Sequence, residues 1–351
     1  MVNFILRYYT LFLYKVKLID ILPSVTIILM NKKTLVSGVK PTGRPHLGNY
    51  FGAMRQFVDL QDEYNTYVFV ADLHALNTIQ NKEKMESLTR ELVLDYLATG
   101  LDPEKVVFFK QSEISAHAEL TWIFDTLVTV PFMMRAHAYK DALAKGDEPS
   151  MGLFNYPVLM ASDILLYSPD IVPVGKDQKQ HIEYTRDIAQ KFNNTYGDTF
   201  KLPKEMIVED VETVPGTDGQ KMSKSYGNII PLFGNDSEIK KAVMGIVTDS
   251  KEPQDKKNPE EVIVYQLYKL VAPEKESEMR QGLEEGGLGY GDAKKMLLEA
   301  IMEMIEPMRE RRAKYEADPS LVNEILEKGR ARAQEVASQK IKEVKEKVGL
   351  L

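Results

Sequence analysis

The sequence contains no cysteine, which excludes disulfides, thiolate catalysis and cysteine-ligated zinc or iron–sulfur sites. Histidine is sparse. His46, His74, His117, His137 and His181 form no His-x-x-x-His or Glu-x-x-His pair, so no protein-built metal site is expected, although Mg²⁺ can arrive with a nucleotide. Low-complexity tracts and repeats at solenoid periods are also missing. No apolar run reaches the ~20 residues a membrane span needs. The nearest, in the first thirty residues, is broken by Arg7, Lys15, Lys17 and Asp20. No small-residue cleavage site follows it, which argues against a secretory signal. Met30-Asn31-Lys32-Lys33 leads straight into an apolar strand, so residues 1–29 are expected to be a dispensable extension. Positive charge is not in excess either, the formal net charge being −7. That balance does not exclude a nucleic-acid partner, because phosphate contacts need only a local basic surface. From Arg309 to Lys347 there are eleven Lys/Arg against eight Asp/Glu, which fits either such a surface or a solvated helical face.

What is present is enough for a sizeable core and two domains: 351 residues, 44% hydrophobic and 28% charged. Thr34–Val39, Tyr67–Ala71, Val106–Phe109 and Ile171–Val174 read as strands. Helical stripes lie between them: Leu47, Tyr50, Met54, Phe57 and Val58; then Met85, Leu88, Leu92 and Tyr96, ending at Gly100; later a helix near Gln180–Phe192. This alternation predicts a doubly wound parallel sheet of the α/β class, with ligands at the carboxyl ends of its strands. A helical insertion is expected at about 119–166. The catalytic domain should span 30–230, followed by a helical domain at 231–351. Asp318-Pro319 opens its clearest helix, with Val322, Ile325, Leu326, Val336, Ala337, Ile341, Val344 and Val348 as the apolar stripe.

Two segments carry chemistry. Lys40-Pro41-Thr42-Gly43-Arg44-Pro45-His46-Leu47-Gly48-Asn49-Tyr50 lies where the first strand passes into the first helix. Its glycines permit close backbone approach, the helix N-terminus suits an anion, and His46 and Asn49 lie one turn apart. An ordinary strand–helix loop fits the same residues. In Gly216-Thr217-Asp218-Gly219-Gln220-Lys221-Met222-Ser223-Lys224-Ser225 the glycines suggest a mobile loop. Two lysines three positions apart on it suit a departing pyrophosphate; by itself the segment also reads as a solvated lysine loop.

Taken together the segments are far more specific. His46-Leu47-Gly48-Asn49 resembles the HIGH motif of class I aminoacyl-tRNA synthetases, and Lys221-Met222-Ser223-Lys224-Ser225 is that class's KMSKS motif letter for letter. From Thr34 to Leu351 the chain is most similar to the bacterial tryptophanyl-tRNA synthetases. The matching blocks include Ala71-Asp72-Leu73-His74-Ala75, Tyr156-Pro157-Val158-Leu159-Met160, Asp163-Ile164-Leu165, Val172-Pro173-Val174-Gly175, Asp177-Gln178-Lys179-Gln180-His181 and Val247-Thr248-Asp249-Ser250.

The resemblance implies an enzyme that activates L-tryptophan with ATP and loads it onto tRNA(Trp). Catalysis would fall to His46, Asn49, Lys221 and Lys224. ATP would meet Lys40, Pro41, Thr42, Gly48, Asn49, Gly175, Lys176, Asp177, Val211 and Lys221 through Ser225 (with Met222, Ser223 and Lys224 between). Asp163 would accept the indole N–H, with Met160, Val172 and Val174 walling the ring and His74 and Gln178 nearby. A helix cap or structural ion pair is the other reading of Asp163. The resemblance also implies Mg²⁺ carried by ATP, a homodimer, a cytoplasmic location and anticodon reading by the helical domain. Val36, Lys40 and Lys176 stand where that family commonly has Phe, Gln and Glu. Tyrosyl-tRNA synthetase is the rival within the class. A catalytically idle RNA-binding relative and a small-molecule nucleotidyltransferase are the rivals outside it.

Overall fold

Alternating apolar strands are paired into one parallel sheet, in the order β3-β2-β1-β4-β5. The strands are β1 (Thr34–Val39), β2 (Asn65–Val70), β3 (Val107–Lys110), β4 (Ile171–Val174) and β5 (Lys204–Ile207). This computed structural model describes residues 32–146, 148–175, 179–207 and 214–351; the segment 1–29 lies outside them. Leu35 and Val36 point to opposite faces of β1, and both are fully buried. Helices therefore cover both faces, which is why the strands read as apolar runs without alternation. β5 escapes such a reading because Lys204 and Glu205 open it at the sheet's edge.

The helices follow from local rules. α1 begins at Leu47–Asn49, widens into a π-helical turn at Tyr50–Met54 and ends as Arg55–Leu60. Leu47, Phe51, Met54 and Phe57 form its buried stripe. α2 (Asp72–Ala75) follows β2, then α3 (Lys82–Thr99). The Asn81 side chain caps α3 by accepting from the Lys84 N–H, and Gly100 ends it with φ 109°, a left-handed conformation that a β-carbon disfavours. Between β3 and β4 the insertion consists of α4 (Ala116–Asp125), α5 (Val130–Met133), α6 (His137–Ala144) and α7 (Met151–Leu165). α8 (Lys179–Tyr196) joins β4 to β5.

Beyond Ile230 the described residues add only helices to the core: α9 (Asp236–Met244), α10 (Ile263–Val271), α11 (Glu276–Glu285), α12 (Tyr290–Ala317) and α13 (Pro319–Val348). They pack back onto the sheet. Arg312 of α12 donates from Nε to Asp95 of α3 at 2.9 Å, and Arg311 donates to the Ala98 carbonyl at 2.7 Å. α13 runs along β3, with Val322 and Ile325 in the core of one sheet face and Ala333, Ala337, Ile341 and Val344 in that of the other. It thereby covers an edge strand that would otherwise invite pairing with another chain.

Gly329 is the closest point of this contact: a β-carbon there would lie 1.8 Å from the Phe108 carbonyl oxygen. Backbone cannot rotate aside as a side chain can. Gly329→Ala is therefore expected to cost at least the ~1–3 kcal/mol typical of overpacking, read as a lower melting temperature. Unchanged thermal unfolding would contradict the contact.

Candidate active site

Strand order reverses between β1 and β4, and the segment after β1 is the first half of the site. Pro41 and Pro45 are buried anchors, and Gly43 turns the chain with φ 100°. His46 is the N-cap of α1, and its extended backbone N–H donates to Asn49 Oδ1 at 3.2 Å. Gly48 has no room for a side chain, since a β-carbon would fall 2.9 Å from His46 Nδ1 and 3.3 Å from Met222 Cβ. The His46 ring is buried, with no partner for Nδ1. Burial, and then the charge of Lys224, lower its pKa to about 4. A neutral imidazole keeps a proton on one ring nitrogen and leaves the other as an acceptor, so His46 can still make a hydrogen bond of either kind to a ligand.

The second half is the lysine loop, and it is tied to the first. Leu47 N–H donates to the Ile230 carbonyl at 3.0 Å and Leu232 N–H to that of Pro45 at 3.0 Å. Met222 is buried and takes the Gly48 N–H on its sulfur at 3.3 Å. Lys224 reaches across to donate from Nζ to the Thr42 carbonyl at 3.2 Å. Partial burial lowers the Lys224 pKa, with the Asp95 carboxylate opposing. Lys221, Ser225 and Lys40 are exposed, whereas Ser223 is half-buried. Among the lysine-loop residues expected from sequence, Met222 and Lys224 are thus in contact with the histidine segment.

The glycines suggest a mobile loop, but its base is knitted by a residue that sequence reasoning missed. Asn228, 3% exposed, accepts from the Ser223 N–H at 2.8 Å. It donates to Asp218 at 2.7 Å and to the Lys221 carbonyl at 3.1 Å. Hydrogen bonds from Asn228, then from the Gln220 backbone, also hold the Asp218 carboxyl below its usual range. The Met222 N–H closes the hairpin onto the Val214 carbonyl at 2.9 Å. The available signal was an asparagine three residues beyond the motif, in a segment where side-chain amides often replace backbone partners.

Asp163 of α7 sits in a third cluster, and it is more heavily partnered than sequence indicates. Its Oδ2 accepts from His74 Nε2 at 2.8 Å, and its Oδ1 from Gln111 Nε2 at 2.7 Å and His117 Nδ1 at 2.6 Å. Burial by itself would raise the carboxyl's pKa; donation by the two histidines more than offsets that and holds it near 2. Met160 packs beside Ile164, Val172, Val174 and Ile182 in one apolar group, which unites the three expected ring-wall residues. Gln111 and His117 were not singled out. Gln111 directly follows β3 at its carboxyl end, where ligand-facing groups gather, but His117 reads as a lone core histidine. Gly175 is exposed at the end of β4; Lys176, Asp177, Gln178 and Val211 lie outside the described residues. Among the described residues, no cluster of three His, Asp or Glu could hold a metal ion, and no helix is long and apolar enough to cross a membrane.

A parallel sheet with a histidine-capped first helix and a lysine loop laid over its entrance defines a class I synthetase core. The family model for class I tRNA synthetases (W and Y) matches residues 30–306, and the chain belongs to that family. Within it the chain groups with bacterial tryptophan–tRNA ligases. It is 48% identical to that of Fusobacterium nucleatum, over 91% of this chain and 98% of that protein. With the Rhodopirellula baltica enzyme it shares 47%, over 90% and 99%. The crystal structure of Campylobacter jejuni tryptophanyl-tRNA synthetase complexed with ADP and tryptophan superposes with a TM-score of 0.85 at 42% identity, covering 90% of this chain and all of that one. An Archaeoglobus fulgidus tyrosyl-tRNA synthetase, at 20% identity and a TM-score of 0.63, shares the fold.

The His46–Lys224 relation has a direct test in the ligand-free protein. His46 should titrate near pH 4 by NMR, and Lys224→Ala should move that midpoint upward. Because the folded pKa lies below the unfolded value of 6.5, the unfolded chain binds the extra proton between these limits. Stability from His46 is therefore complete above pH 6.5 and lost as pH falls towards 4. An unmoved midpoint would separate the two residues electrostatically.

Proposed function

We infer that the chain catalyses ATP-dependent ligation of L-tryptophan to tRNA(Trp). In the first step a tryptophan carboxylate oxygen attacks the α-phosphorus of ATP. The bond from that phosphorus to the bridging oxygen breaks, giving tryptophanyl-adenylate and pyrophosphate. In the second, the 2′-hydroxyl of the terminal tRNA adenosine takes the acyl group, its proton is lost and AMP departs. The observation that carries this reading is Lys224 Nζ resting on the Thr42 carbonyl, beside the buried cap His46. A cation and a neutral imidazole then converge where negative charge grows on the leaving pyrophosphate.

Roles divide by chemistry. His46 and Asn49 bind and orient phosphate, while Lys221 and Lys224 stabilise charge that develops mainly in the transition state. Lys40, Pro41, Thr42, Gly48, Gly175, Lys176, Asp177, Val211, Met222, Ser223 and Ser225 form the nucleotide site. Asp163 accepts the indole N–H, the one polar handle on that ring, with Met160, Val172, Val174, His74 and Gln178 around it. Mg²⁺ enters bound to ATP. The helical region 231–351 reads the anticodon, and residues 1–29, which precede the family match, are dispensable. The enzyme works in the cytoplasm.

A homodimer is supported by the insertion's surface. Trp122, Val130, Met134, Leu143 and Met151 are all about half exposed or more, and exposed large apolar side chains are what partner subunits cover. Trp122→Glu is expected to shift the protein from dimer to monomer in sedimentation velocity. A monomeric parent would overturn the assignment.

ATP–pyrophosphate exchange with each of the twenty amino acids tests the main reading, tryptophan being expected to dominate. Lys224→Ala should slow single-turnover adenylate formation by roughly 10²–10³, the usual loss for one such charge-stabilising contact, with tryptophan binding nearly unchanged. A rate equal to the parent's would remove the lysine loop from the mechanism.

A further inference from the structure

Asp163 has three donors, and their distribution over its two oxygens is unequal. An ionised carboxylate offers about four lone-pair sites. Both sites on Oδ1 are filled, by Gln111 and His117. Among the described residues Oδ2 accepts only from His74, which leaves one acceptor site, on Oδ2. The surroundings are unequal in the same sense. The His117 side chain is fully buried, whereas that of His74 keeps 11% of its surface open. The more open side of the carboxylate is thus that of Oδ2 and His74.

What fixes that orientation is a chain running away from the site. His117 Nδ1 donates to Asp163 Oδ1, and its other ring nitrogen, Nε2, is hydrogen-bonded to the Tyr167 hydroxyl at 2.9 Å. Burial, with the nearby Asp163 charge, raises the Tyr167 pKa, so the phenol stays protonated and donates. Tyr167 is itself stacked on Tyr67 with ring centroids 5.0 Å apart. The His117 ring is wedged against Phe69 and Phe109 at 5.8 and 6.3 Å, and its carbonyl accepts from Thr121 at 2.7 Å. These contacts hold the His117 ring in place independently of Asp163.

We propose that His117, held by Tyr167, is a specificity-determining positioning residue: it occupies Asp163 Oδ1 so that Oδ2 alone is presented to the indole N–H. This rests on the reading of Asp163 as the indole acceptor. Without the His117 donor, the carboxylate can turn, exchange its oxygens and satisfy itself on Gln111 and His74. The indole then meets a poorly aimed acceptor, while the apolar wall of Met160, Val172 and Val174 stays intact.

The test uses two substrates of nearly equal shape, L-tryptophan and 3-benzothienyl-L-alanine, which carries sulfur in place of the indole N–H. Exchange kinetics are measured on the full chain and on His117→Leu, His117→Asn and Tyr167→Phe. The parent should strongly prefer tryptophan, because a site built for a donor rejects the analogue lacking it. His117→Leu should raise KM for tryptophan by about ten- to a hundredfold, the range for losing a hydrogen bond to a charged group. KM for ATP and the kinetics with the sulfur analogue should change less than about threefold. His117→Asn keeps a donor where Nδ1 lies and should restore most of the preference; Tyr167→Phe should erode it more mildly. Equal losses for both substrates, or an undiminished preference in the variants, would overturn the proposal. Should His117→Leu fail to fold, the asparagine and phenylalanine variants decide the matter by the same ratio. A parent enzyme indifferent to the sulfur exchange would instead overturn the role of Asp163 itself.

Discussion

Two backbone hydrogen bonds, from Leu47 to Ile230 and from Leu232 to Pro45, tie together segments more than 180 residues apart in sequence. Everything proposed for phosphate chemistry depends on them. They hold the entrance of α1 against the strand-like exit of the lysine loop. Met222 can then press on Gly48, and Lys224 can reach Thr42. Lys224 also lowers the pKa of His46 after burial has done most of that work. The neutral histidine and the charged lysine are thus one electrostatic unit, built on main-chain geometry.

The amino-acid side of the site obeys a different constraint. A carboxylate as buried as Asp163 is costly to keep ionised unless its lone pairs are filled by good donors. His74, Gln111 and His117 meet that need, and their hydrogen bonds outweigh the desolvation that would otherwise protonate the group. Among the described residues the same donors leave one acceptor site on Oδ2, so the proposed selectivity for an N–H donor would arise from the arrangement that stabilises the buried charge. Asp163 is thereby the centre of a buried polar network with His74, Gln111 and His117 within an apolar core.

The helical tail contributes to the catalytic core as well as extending it. α13 closes the β3 edge and sends side chains into both faces of the sheet, and α12 fastens onto α3 through Arg311 and Arg312. Arg312 also donates to Glu91 at 2.5 Å. Asp95, the partner of its Nε, also acts electrostatically on Lys224, and burial raises its own pKa to about 6 against the pull of the arginine. Truncation within α13 would therefore uncover strand backbone and not merely remove an appendage.

Sequence by itself determined the local elements and the chemistry-bearing segments. Apolar runs marked four strands, periodicity placed α3, α8 and α13, and Gly100 and Asp318 gave their boundaries through conformational and capping rules. His46 and the lysine motif were legible because glycines, histidine and paired lysines at short spacing carry their meaning locally. β5 was not, because an edge strand opening on Lys204 and Glu205 lacks an apolar run. Nor were Asn228, Gln111 and His117, whose importance lies in which atoms they reach across the fold. Only the tertiary structure decided those partners. Residue 46 is brought to 224, and 117 to 163, through sheet order and helix packing, and hydrogen-bond direction and desolvation depend on those meetings and not on position along the chain.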